Sequence, residues 1–374
     1  MSRPEQRRLR ILVIAPSRHP IAEPHAGGLE AAVWDRVRSL RAAGHAVTLV
    51  AAHGSDFLDE TPMELRLPSV AWEGTATSDE AYPAGYVDAV ALVLHRLTMR
   101  LVQRPDEFDL VDNHSLHPLP IASAREHGIP MLTTLHTPPL PELVDAALVA
   151  GPAHEFLAVS EYTAAQWRAH GVEARVLANV VDADAWPLGR GGPDLVWFGR
   201  IVPEKGPHLA IDAARLLGRD IVVAGRVGDV GYFEQEVAPR LGPGVRHVGG
   251  MQRAALARLV GRSGAALVTP RWDEPFGLVL AEALCTGTPV ACFARGGVAE
   301  VVDGLPGTRL LPADDVEALA RAADELLATG LAERRRIRAH AVRRFASSER
   351  MPVLDELLRT HAGRASFVDV AAAS

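Results

Sequence analysis

Short apolar runs alternate with helical patterns along most of the chain. The runs are rich in valine, isoleucine and leucine, and the segments between them carry apolar residues at the helical period. This alternation is typical of parallel sheets covered by helices, because such sheets bury both faces. In the first half it predicts strands over residues 9–15, 47–51, 110–113, 131–134 and 156–159.

One helix of the first half has a clear signature. Four apolar residues from Leu29 to Leu40 share a face and Gly44 follows as a stop signal, so a helix is predicted over 29–43. A second helix is predicted over 87–102. It lacks the basic flank of surface-binding helices, so the sequence gives no support for membrane association.

A turn-rich segment at residues 179–193 divides the chain. A second series of strands follows, predicted over 195–198, 221–224, 245–248, 265–268 and 290–293. After Asp314 the pattern is helical. A length of 374 residues suits two domains, since single cores stop growing beyond ~250 residues. We therefore predict an α/β protein of two doubly wound domains, 1–184 and 185–348.

Composition and charge limit the classes of function that the chain can have. The chain is 48% hydrophobic and 23% charged, as expected of a globular protein. Its net charge of −7 argues against nucleic acid as a partner, because backbone phosphates need a basic face. The start of the chain has no apolar stretch long enough for a signal peptide or a membrane span, so we expect a cytoplasmic protein. Cys285 and Cys292 are expected to pack in the core without a disulfide.

Two carboxylates eight positions apart, Glu274 and Glu282, bracket a predicted strand-to-helix turn. Glu274 falls in the loop and Glu282 on the helix. The first free N–H groups of this helix, near Phe276, Gly277 and Leu278, form an anion site beside the two carboxylates. The combination suits a sugar attached to a phosphate, although isolated glutamates are more often solvated surface charges.

Arg200 and Lys205 follow the predicted strand at 195–198. Arginine supplies a bidentate fork and lysine a mobile point charge, so the two can converge on one leaving group. The departure of a phosphate group leaves negative charge on its oxygen atoms, and fixed cations stabilise that charge in the transition state. Taken alone, such a pair is also common among ordinary loop charges.

Glycines and a histidine follow two strands of the first half. Gly27 and Gly28 open the first predicted helix, where a phosphate can approach backbone amides closely. A bare Gly-Gly is also common in turns without a ligand, and the G-x-G-x-x-G pattern of nicotinamide binders is missing after the first strand. His136 comes after the strand at 131–134, in a T-x-H pattern.

Polar residues lie at the end of the strand at 110–113 and are candidates to line the part of the site that binds an acceptor substrate: Asp112, Asn113, His114 and His117. The spacing of the two histidines also allows a metal pair. Because no carboxylate or cysteine set accompanies them, a loop or acceptor role is favoured. Ser160 is expected to cap the helix that starts at Glu161.

The segment 274–289 resembles the E-x7-E element of retaining glycosyltransferases with the GT-B fold, in the nucleotide-sugar family called GT4 or glycosyl transferases group 1. The segment 199–206 is similar to that family's diphosphate-binding element, and the likeness covers nearly the full chain. It implies two Rossmann-like domains that face each other across a cleft, the second of which binds the donor. It also implies that a last helix, 349–374, crosses back near 345–348 to complete the first, acceptor-side domain.

The resemblance implies a role for each candidate. Glu274 would contact hydroxyls of the donor sugar, Glu282 the ribose diol, and His136 the sugar near its 6-hydroxyl and anomeric carbon. Groups around the diphosphate and the base would complete the donor site: Gly27, Gly28, Arg200, Lys205, Val248, Phe276, Gly277 and Leu278. The residues expected to be catalytic are His136, Arg200, Lys205 and Glu274.

The implied reaction is a retaining, same-face transfer of a hexosyl group from a nucleoside diphosphate sugar to a hydroxyl acceptor. No cofactor and no metal is expected, because Arg200, Lys205 and helix amides would neutralise the diphosphate. Residues 54–104, with Trp72, Tyr82 and Tyr86, are expected to shape the site for a small metabolite, a glycolipid precursor or a natural product. The donor base and sugar, the acceptor and the oligomeric state do not follow from the sequence.

Two other functions fit the same architecture. A sugar-nucleotide epimerase would need no acceptor, but it uses carboxylates for proton abstraction or elimination, so the cluster of Arg200 and Lys205 fits it less well. A noncatalytic partner subunit would keep the fold without turnover. The intact set of Arg200, Lys205, Glu274 and Glu282 counts against that function.

Overall fold

The structure is a computed structural model that describes residues 7–70 and 82–364. Its named strands form two parallel sheets of six strands each. The first sheet contains β1 (Arg10–Ile14), β2 (Ala46–Val50), β3 (Leu110–Asn113), β4 (Met131–Leu135), β5 (His154–Ala158) and β6 (Arg175–Val176). The second contains β7 (Leu195–Phe198), β8 (Ile221–Ala224), β9 (Val245–His247), β10 (Ala265–Val268), β11 (Val290–Phe293) and β12 (Thr308–Leu311).

The order of the strands creates a crevice at the carboxyl ends of two adjacent strands in each sheet. The first sheet runs β2-β1-β3-β4-β5-β6 and the second β12-β11-β10-β7-β8-β9, so the chain reverses its direction of winding between β1 and β3 and between β7 and β10. At such a switch point the loops after two neighbouring strands diverge, and ligands bind outside the carboxyl ends of the strands. The loops after β1, β7 and β10 therefore carry the candidate site.

Helices pack on both faces of the sheets, which confirms the predicted α/β fold class. Alternate residues of β1 show this arrangement, since Ile11 and Val13 belong to one core cluster while Leu12 and Ile14 belong to another. In the first half the helices are α1 (Gly28–Ala42), α2 (Tyr86–Gln103), α3 (Pro118–His127), α4 (Pro141–Leu148) and α5 (Glu161–Arg168). They continue with α6 (Pro207–Leu217), α7 (Val230–Tyr232), α8 (Arg253–Arg262), α9 (Leu278–Cys285), α10 (Val298–Val302), α11 (Val316–Leu327), α12 (Leu331–Phe345) and α13 (Ser347–Arg364).

Most predicted strands coincide with observed ones. Four of the five predicted in the second half match residue for residue, because each is a short, fully buried apolar run. Two strands were missed. β6 has only two residues, and β12 is an edge strand whose four residues are all at least partly exposed, so neither carries a strong apolar pattern.

The end of the chain returns to the first sheet. Val181 forms an isolated parallel bridge with Ala346, at the break between α12 and α13. Leu354 and Leu358 of α13 then join the core cluster of Ile11 and Val13. The sequence-predicted boundary at 184/185 lies in the connection between β6 and β7, 177–194.

Candidate functional site

A cavity of about 690 Å³ lies between the carboxyl ends of the two sheets and is lined by residues of both halves. Ten of the sequence-predicted residues line it: Gly27, Gly28, His136, Arg200, Lys205, Glu274, Phe276, Gly277, Leu278 and Glu282. Val248 is not among the lining residues and is 40% exposed, whereas Gly250 and Met251, which follow it, do line the cavity.

Two helix N-termini from opposite halves meet at this cavity. The N-cap residues are Gly27 for α1 and Gly277 for α9, and neither helix has a side-chain cap. A Cβ atom placed on Gly28 would lie 3.8 Å from Cβ of Leu278, so the two helix starts face each other closely. Free N–H groups at both starts and the positive ends of both dipoles therefore favour an anion between them.

Two glycines around these helix starts differ in how strongly the structure favours glycine. Gly277 has a φ of +83°, in the left-handed region that residues with a Cβ disfavour. A Cβ on Gly27 would lie 3.1 Å from Oε2 of Glu30 and 3.4 Å from Cδ of Arg200. A methyl group at residue 27 would therefore need a small shift of the Glu30 carboxylate and would lie in contact with Arg200.

The loop after β7 holds Lys205 in a defined pose. Its ammonium group pairs with Oε2 of Glu274 and lies 5.0 Å from the ring centroid of Trp272. Trp272 Nε1 donates to the same carboxylate oxygen at 2.9 Å. Nη2 of Arg200 lies 3.8 Å from Oε1 of Glu204, a loose ion pair at the same cavity. Lys205 is the one lysine among the 39 basic residues of the chain.

A cationic side chain that was not predicted from the sequence, Arg253, lines the cavity together with Glu282. Arg253, the first residue of α8, donates to Asp35 at 2.7 Å, and its guanidinium lies 4.7 Å from the ring centroid of Trp34. It also lies 3.0 Å from Nε2 of His25. A sequence signal existed, because a cation in the first turn of a helix opposes the helix dipole and needs a compensating partner.

Electrostatics around Arg253 set the charge of its neighbours. Burial raises the pKa of Glu282 to about 8, although the positive charge of Arg253 opposes this. Burial, followed by the charge of Arg253, lowers the pKa of His25 to about 4. At neutral pH Glu282 is therefore mostly protonated and His25 is neutral.

His136 follows β4 and is connected to a buried polar cluster. Its Nε2 lies 2.8 Å from Nδ1 of His114, and Nε2 of His114 lies 3.2 Å from Oδ1 of Asp112. Arg36 holds both oxygens of Asp112, at 2.8 and 3.1 Å. Burial is the main cause that lowers the pKa of His136 well below its usual range, and the positive charge of Arg36 acts in the same direction.

The two histidines near β3 have separate tasks. His114 contacts His136, whereas Nδ1 of His117 accepts from Leu119 N–H at 3.1 Å as the N-cap of α3. Among the described residues, no group of three histidine, cysteine or carboxylate side chains is placed to hold a metal ion.

Aromatic residues line the first-half side of the cavity. Tyr82 and Tyr86 stack with their ring centroids 5.5 Å apart, and the guanidinium of Arg18 lies 4.7 Å from the centroid of Tyr82. His117 lines the same side. Trp72, which the sequence analysis grouped with the two tyrosines, lies outside the described residues.

Residues of both halves of the chain fix the loop that carries Glu274. Ser160 caps α5, as predicted, and its hydroxyl also donates to the carbonyl of Pro275 at 2.6 Å. Gly297 N–H donates to the carbonyl of Glu274 at 2.7 Å. The Glu300 carboxylate accepts from the N–H groups that open α5. These contacts fix the backbone on which the Glu274 side chain depends.

Cys285 and Cys292 are free and buried, as predicted. Of the helices in the described part of the chain, none has the length and apolar character needed to cross a membrane.

Two family models match the chain over adjoining segments. Residues 183–344 match the model described as Glycosyl transferases group 1, and residues 26–185 match Glycosyltransferase Family 4. Together the two matches extend from residue 26 to residue 344, which includes the ten sequence-predicted residues that line the cavity.

Curated relatives include enzymes of carbohydrate metabolism. The chain is 28% identical over 380 residues to glycogen synthase of Mycobacterium tuberculosis, which covers 88% of this chain and 89% of that protein. It is 34% identical over 162 residues to D-inositol 3-phosphate glycosyltransferase of Mycobacterium bovis, which covers 41% of this chain and 33% of that protein.

Solved structures share the fold. The Anabaena protein HepE in complex with UDP-glucose superposes with a TM-score of 0.71 at 18% identity, over 94% of this chain and 100% of that one. Sucrose-phosphate synthase from Thermosynechococcus elongatus superposes with a TM-score of 0.73 at 18% identity, over 96% of this chain and 100% of that one. At these identities the likeness concerns the arrangement of the two domains.

Proposed function

Because the chain belongs to the GT4-type glycosyltransferases of the GT-B fold, glycosyl transferases group 1, we propose that it transfers a hexosyl group with retention of configuration. The donor is a nucleoside diphosphate sugar and the acceptor a hydroxyl group on a small metabolite, a glycolipid precursor or a natural product. The enzyme works in the cytoplasm, as the sequence predicts.

One observation carries this proposal. The uncapped starts of α1 and α9 face each other across the cavity, and Arg200 and Lys205 lie beside them. Two helix N-termini and two cations around one space form a site for a group with several negative charges, such as a diphosphate. Glu274 and Glu282 lie on either side of the α9 start, where sugar and ribose hydroxyls can donate to them.

In the proposed complex each residue has a defined task. The diphosphate lies on the amides of Gly277 and Leu278 and is bound by Arg200 and Lys205. Lys205 then replaces part of its contact with Glu274 by a contact with the phosphate. Glu274 is thereby freed to accept from hydroxyls of the donor sugar. Support for this exchange comes from the pairing of Lys205 with Glu274.

The reaction itself is a substitution at the anomeric carbon. The acceptor oxygen forms a bond to that carbon on the face from which the diphosphate leaves, the bond from carbon to the phosphate oxygen breaks, and the acceptor proton passes to the departing phosphate. Arg200, Lys205 and the α9 amides stabilise the charge that develops on the leaving group. A metal is not required in this scheme, because these groups supply the neutralising charge.

Nucleotide release tests the proposal. The purified protein is incubated with UDP-, GDP-, ADP- and dTDP-sugars, with and without candidate acceptors, and free nucleotide and product are measured. Because UDP-glucose is bound in the HepE structure, it is the first donor to try. Acceptor-dependent release with an unchanged anomeric configuration, measured by proton coupling constants, is expected. Conversion of the donor to a stereoisomer would indicate an epimerase, and tight binding without turnover would indicate a noncatalytic subunit.

A further inference from the structure

Four side chains in the first half of the chain form a continuous series of contacts that ends at His136. Arg36 on α1 donates to both carboxylate oxygens of Asp112, which is fully buried. Asp112 Oδ1 lies 3.2 Å from Nε2 of His114, which is 3% exposed. His114 Nδ1 lies 2.8 Å from Nε2 of His136. His136 is the member of this path that lines the main cavity together with residues of the second half.

The charge of Asp112 determines where His114 carries its proton. Burial alone would raise the pKa of Asp112, but Arg36 and His114 hold it well below its usual range, so the carboxylate is ionised and can only accept. The 3.2 Å contact from His114 Nε2 is longer and less well directed than an ideal hydrogen bond, and this buried nitrogen has no other partner among the described residues. If Nε2 of His114 carried no hydrogen, its lone pair would face a lone pair of Asp112 Oδ1, and the two would repel each other. Nε2 therefore carries the hydrogen.

The second ring nitrogen of His114 is then an acceptor. A further proton on Nδ1 would place a second positive charge beside Arg36, whose guanidinium already compensates Asp112 through two contacts. With Nδ1 of His114 bare, the 2.8 Å contact to His136 requires a hydrogen on His136 Nε2. Because burial lowers the pKa of His136, its ring is neutral and its Nδ1 keeps a lone pair.

We propose that Arg36, Asp112 and His114 are positioning residues that hold His136 as the neutral tautomer with hydrogen on Nε2, so that Nδ1 is presented as an acceptor. The proposal rests on the proposed function. His136 then accepts a hydrogen bond from a donor-sugar hydroxyl and orients the sugar. It has no proton to give from Nδ1, so the proton of the leaving phosphate comes from the acceptor hydroxyl alone.

Nuclear magnetic resonance tests the tautomer directly. The protein is labelled with nitrogen-15 in its histidine side chains, and long-range proton–nitrogen correlations distinguish the two neutral tautomers and the imidazolium ion. The His136 signals are assigned by their loss in His136→Gln. The expected pattern at neutral pH is the Nε2–H form, whereas the Nδ1–H form or an imidazolium would overturn the proposal. This measurement needs no turnover, so it stands even if the proposed function fails.

Two substitutions of His114 test the positioning role. His114→Asn places an amide oxygen near the position of Nδ1 and keeps an acceptor for His136, while His114→Phe keeps a ring but no acceptor. The Phe variant is expected to lose kcat about 10-fold or more with little change in donor KM, since a misdirected catalytic group affects the transition state most. The Asn variant is expected to keep several times more of kcat than the Phe variant.

A purely structural role for His114 makes a different prediction. Both variants would then lose kcat in proportion to their lost thermal stability, and equal kcat values at matched stability would overturn the proposal. Asp112→Asn gives a second readout, because replacing the carboxylate by an amide reverses the preferred histidine tautomer in such networks. The expected result is an Nδ1–H signal for His136, and an unchanged tautomer in that variant would also contradict the proposal. If Asp112→Asn does not fold, the His114 pair decides.

Discussion

The guanidinium of Arg253 donates to Oδ1 of Asp35 at 2.7 Å, and this pair joins α8 of the second half to α1 of the first. Both side chains are 7% exposed. The same α1 begins at Gly28 beside the anion site, and the charge of Arg253 acts on Glu282. Arg253 therefore has two effects: it joins the two halves of the cleft through Asp35, and it opposes the rise in the pKa of Glu282, the residue proposed to hold the nucleotide ribose.

Removal of the Arg253 charge should open the cleft and weaken nucleotide binding. Arg253→Met keeps an apolar stem over Trp34 but leaves Asp35 buried without its cation, and breaking a buried pair in this way typically costs about 3–5 kcal/mol. We expect the dissociation constant of the free nucleoside diphosphate to rise about 10-fold or more, which corresponds to about 1.4 kcal/mol. Calorimetry measures the affinity, and solution X-ray scattering should show a larger radius of gyration.

Arg258→Met is the matched control, because Arg258 lies on the same helix and is exposed. It should bind nucleotide as the unmodified protein does and keep its radius of gyration. If Arg253→Met gave that same result, the contact with Asp35 would have no part in closure.

Lys205 offers a chemical test as well as a genetic one. It is the only lysine of the chain, so an amine-reactive reagent has a single side-chain target besides the terminal amine. Nucleoside diphosphate should protect Lys205 from acylation, as followed by peptide mass mapping, because the ammonium would be engaged by phosphate. Lys205→Ala should slow donor cleavage by ~10² or more, since the lost charge stabilises the leaving group.

Lys205→Arg separates charge from geometry, because the planar guanidinium cannot reproduce the compact ammonium between Glu274 and Trp272. An intermediate rate is expected for it. Near-normal turnover in Lys205→Ala, or acylation that nucleotide does not slow, would remove this residue from the mechanism.

Glu282 should make stability fall as pH rises. Burial raises its pKa to about 8 in the folded protein, against an ordinary value of 4.5. Between about pH 4.5 and pH 8 this carboxyl group is ionised in the unfolded chain and protonated in the folded protein. The free energy of unfolding should therefore decrease by at most about 1.4 kcal/mol per pH unit in this window. Glu282→Gln cannot titrate, so its stability should become relatively greater towards pH 8.

Urea denaturation at several pH values, without nucleotide, compares the two proteins. The difference between their unfolding midpoints should grow in favour of Glu282→Gln from about pH 5 to pH 8. Curves that stay parallel across this range would mean that Glu282 is already ionised in the folded protein.

The sequence predicted those parts of the fold and site that depend on neighbouring residues. Buried apolar runs gave β7, β8, β10 and β11 residue for residue, since every position of a doubly covered parallel strand is apolar. The spacing of Glu274 and Glu282 likewise placed one in a loop and the other on α9. Such local patterns are readable because the chain positions that interact are close together.

Contacts between distant segments could not be read in this way. Arg253 and Asp35 are 218 positions apart, and Arg226, whose Nε donates to the carbonyl of Ala26 at 2.8 Å, is 200 positions from its partner. No periodicity connects such pairs, and only the closed arrangement of the two halves brings them together. The contact of His114 with His136 also escaped prediction, for a different reason: the residues are 22 positions apart and follow the neighbouring strands β3 and β4, and the order of strands in a sheet does not follow from the apolar pattern.

The two cysteines should be unreactive in the native protein. Burial raises the pKa of both Cys285 and Cys292 to about 12, so almost no thiolate exists at neutral pH, and both side chains are enclosed in the core. A disulfide reagent should therefore titrate no thiol in the folded protein and two in denaturant. Rapid reaction of Cys285 without denaturant would show that the end of α9 opens locally, and rapid reaction of Cys292 would show the same for β11.

Metal removal should leave turnover intact. In metal-dependent transfer the cation neutralises the diphosphate and assists its departure. Here Arg200, Lys205 and two uncapped helix starts surround the same space, and the described residues offer no cluster of metal ligands. We expect kcat with excess chelator to remain within about 2-fold of the value with magnesium, a difference below about 0.5 kcal/mol in the barrier. The assay should follow acceptor-dependent nucleotide release, with protein dialysed against chelator beforehand. A large loss that magnesium restores, but sodium at equal ionic strength does not, would show that the cations of this cleft are insufficient for the leaving group.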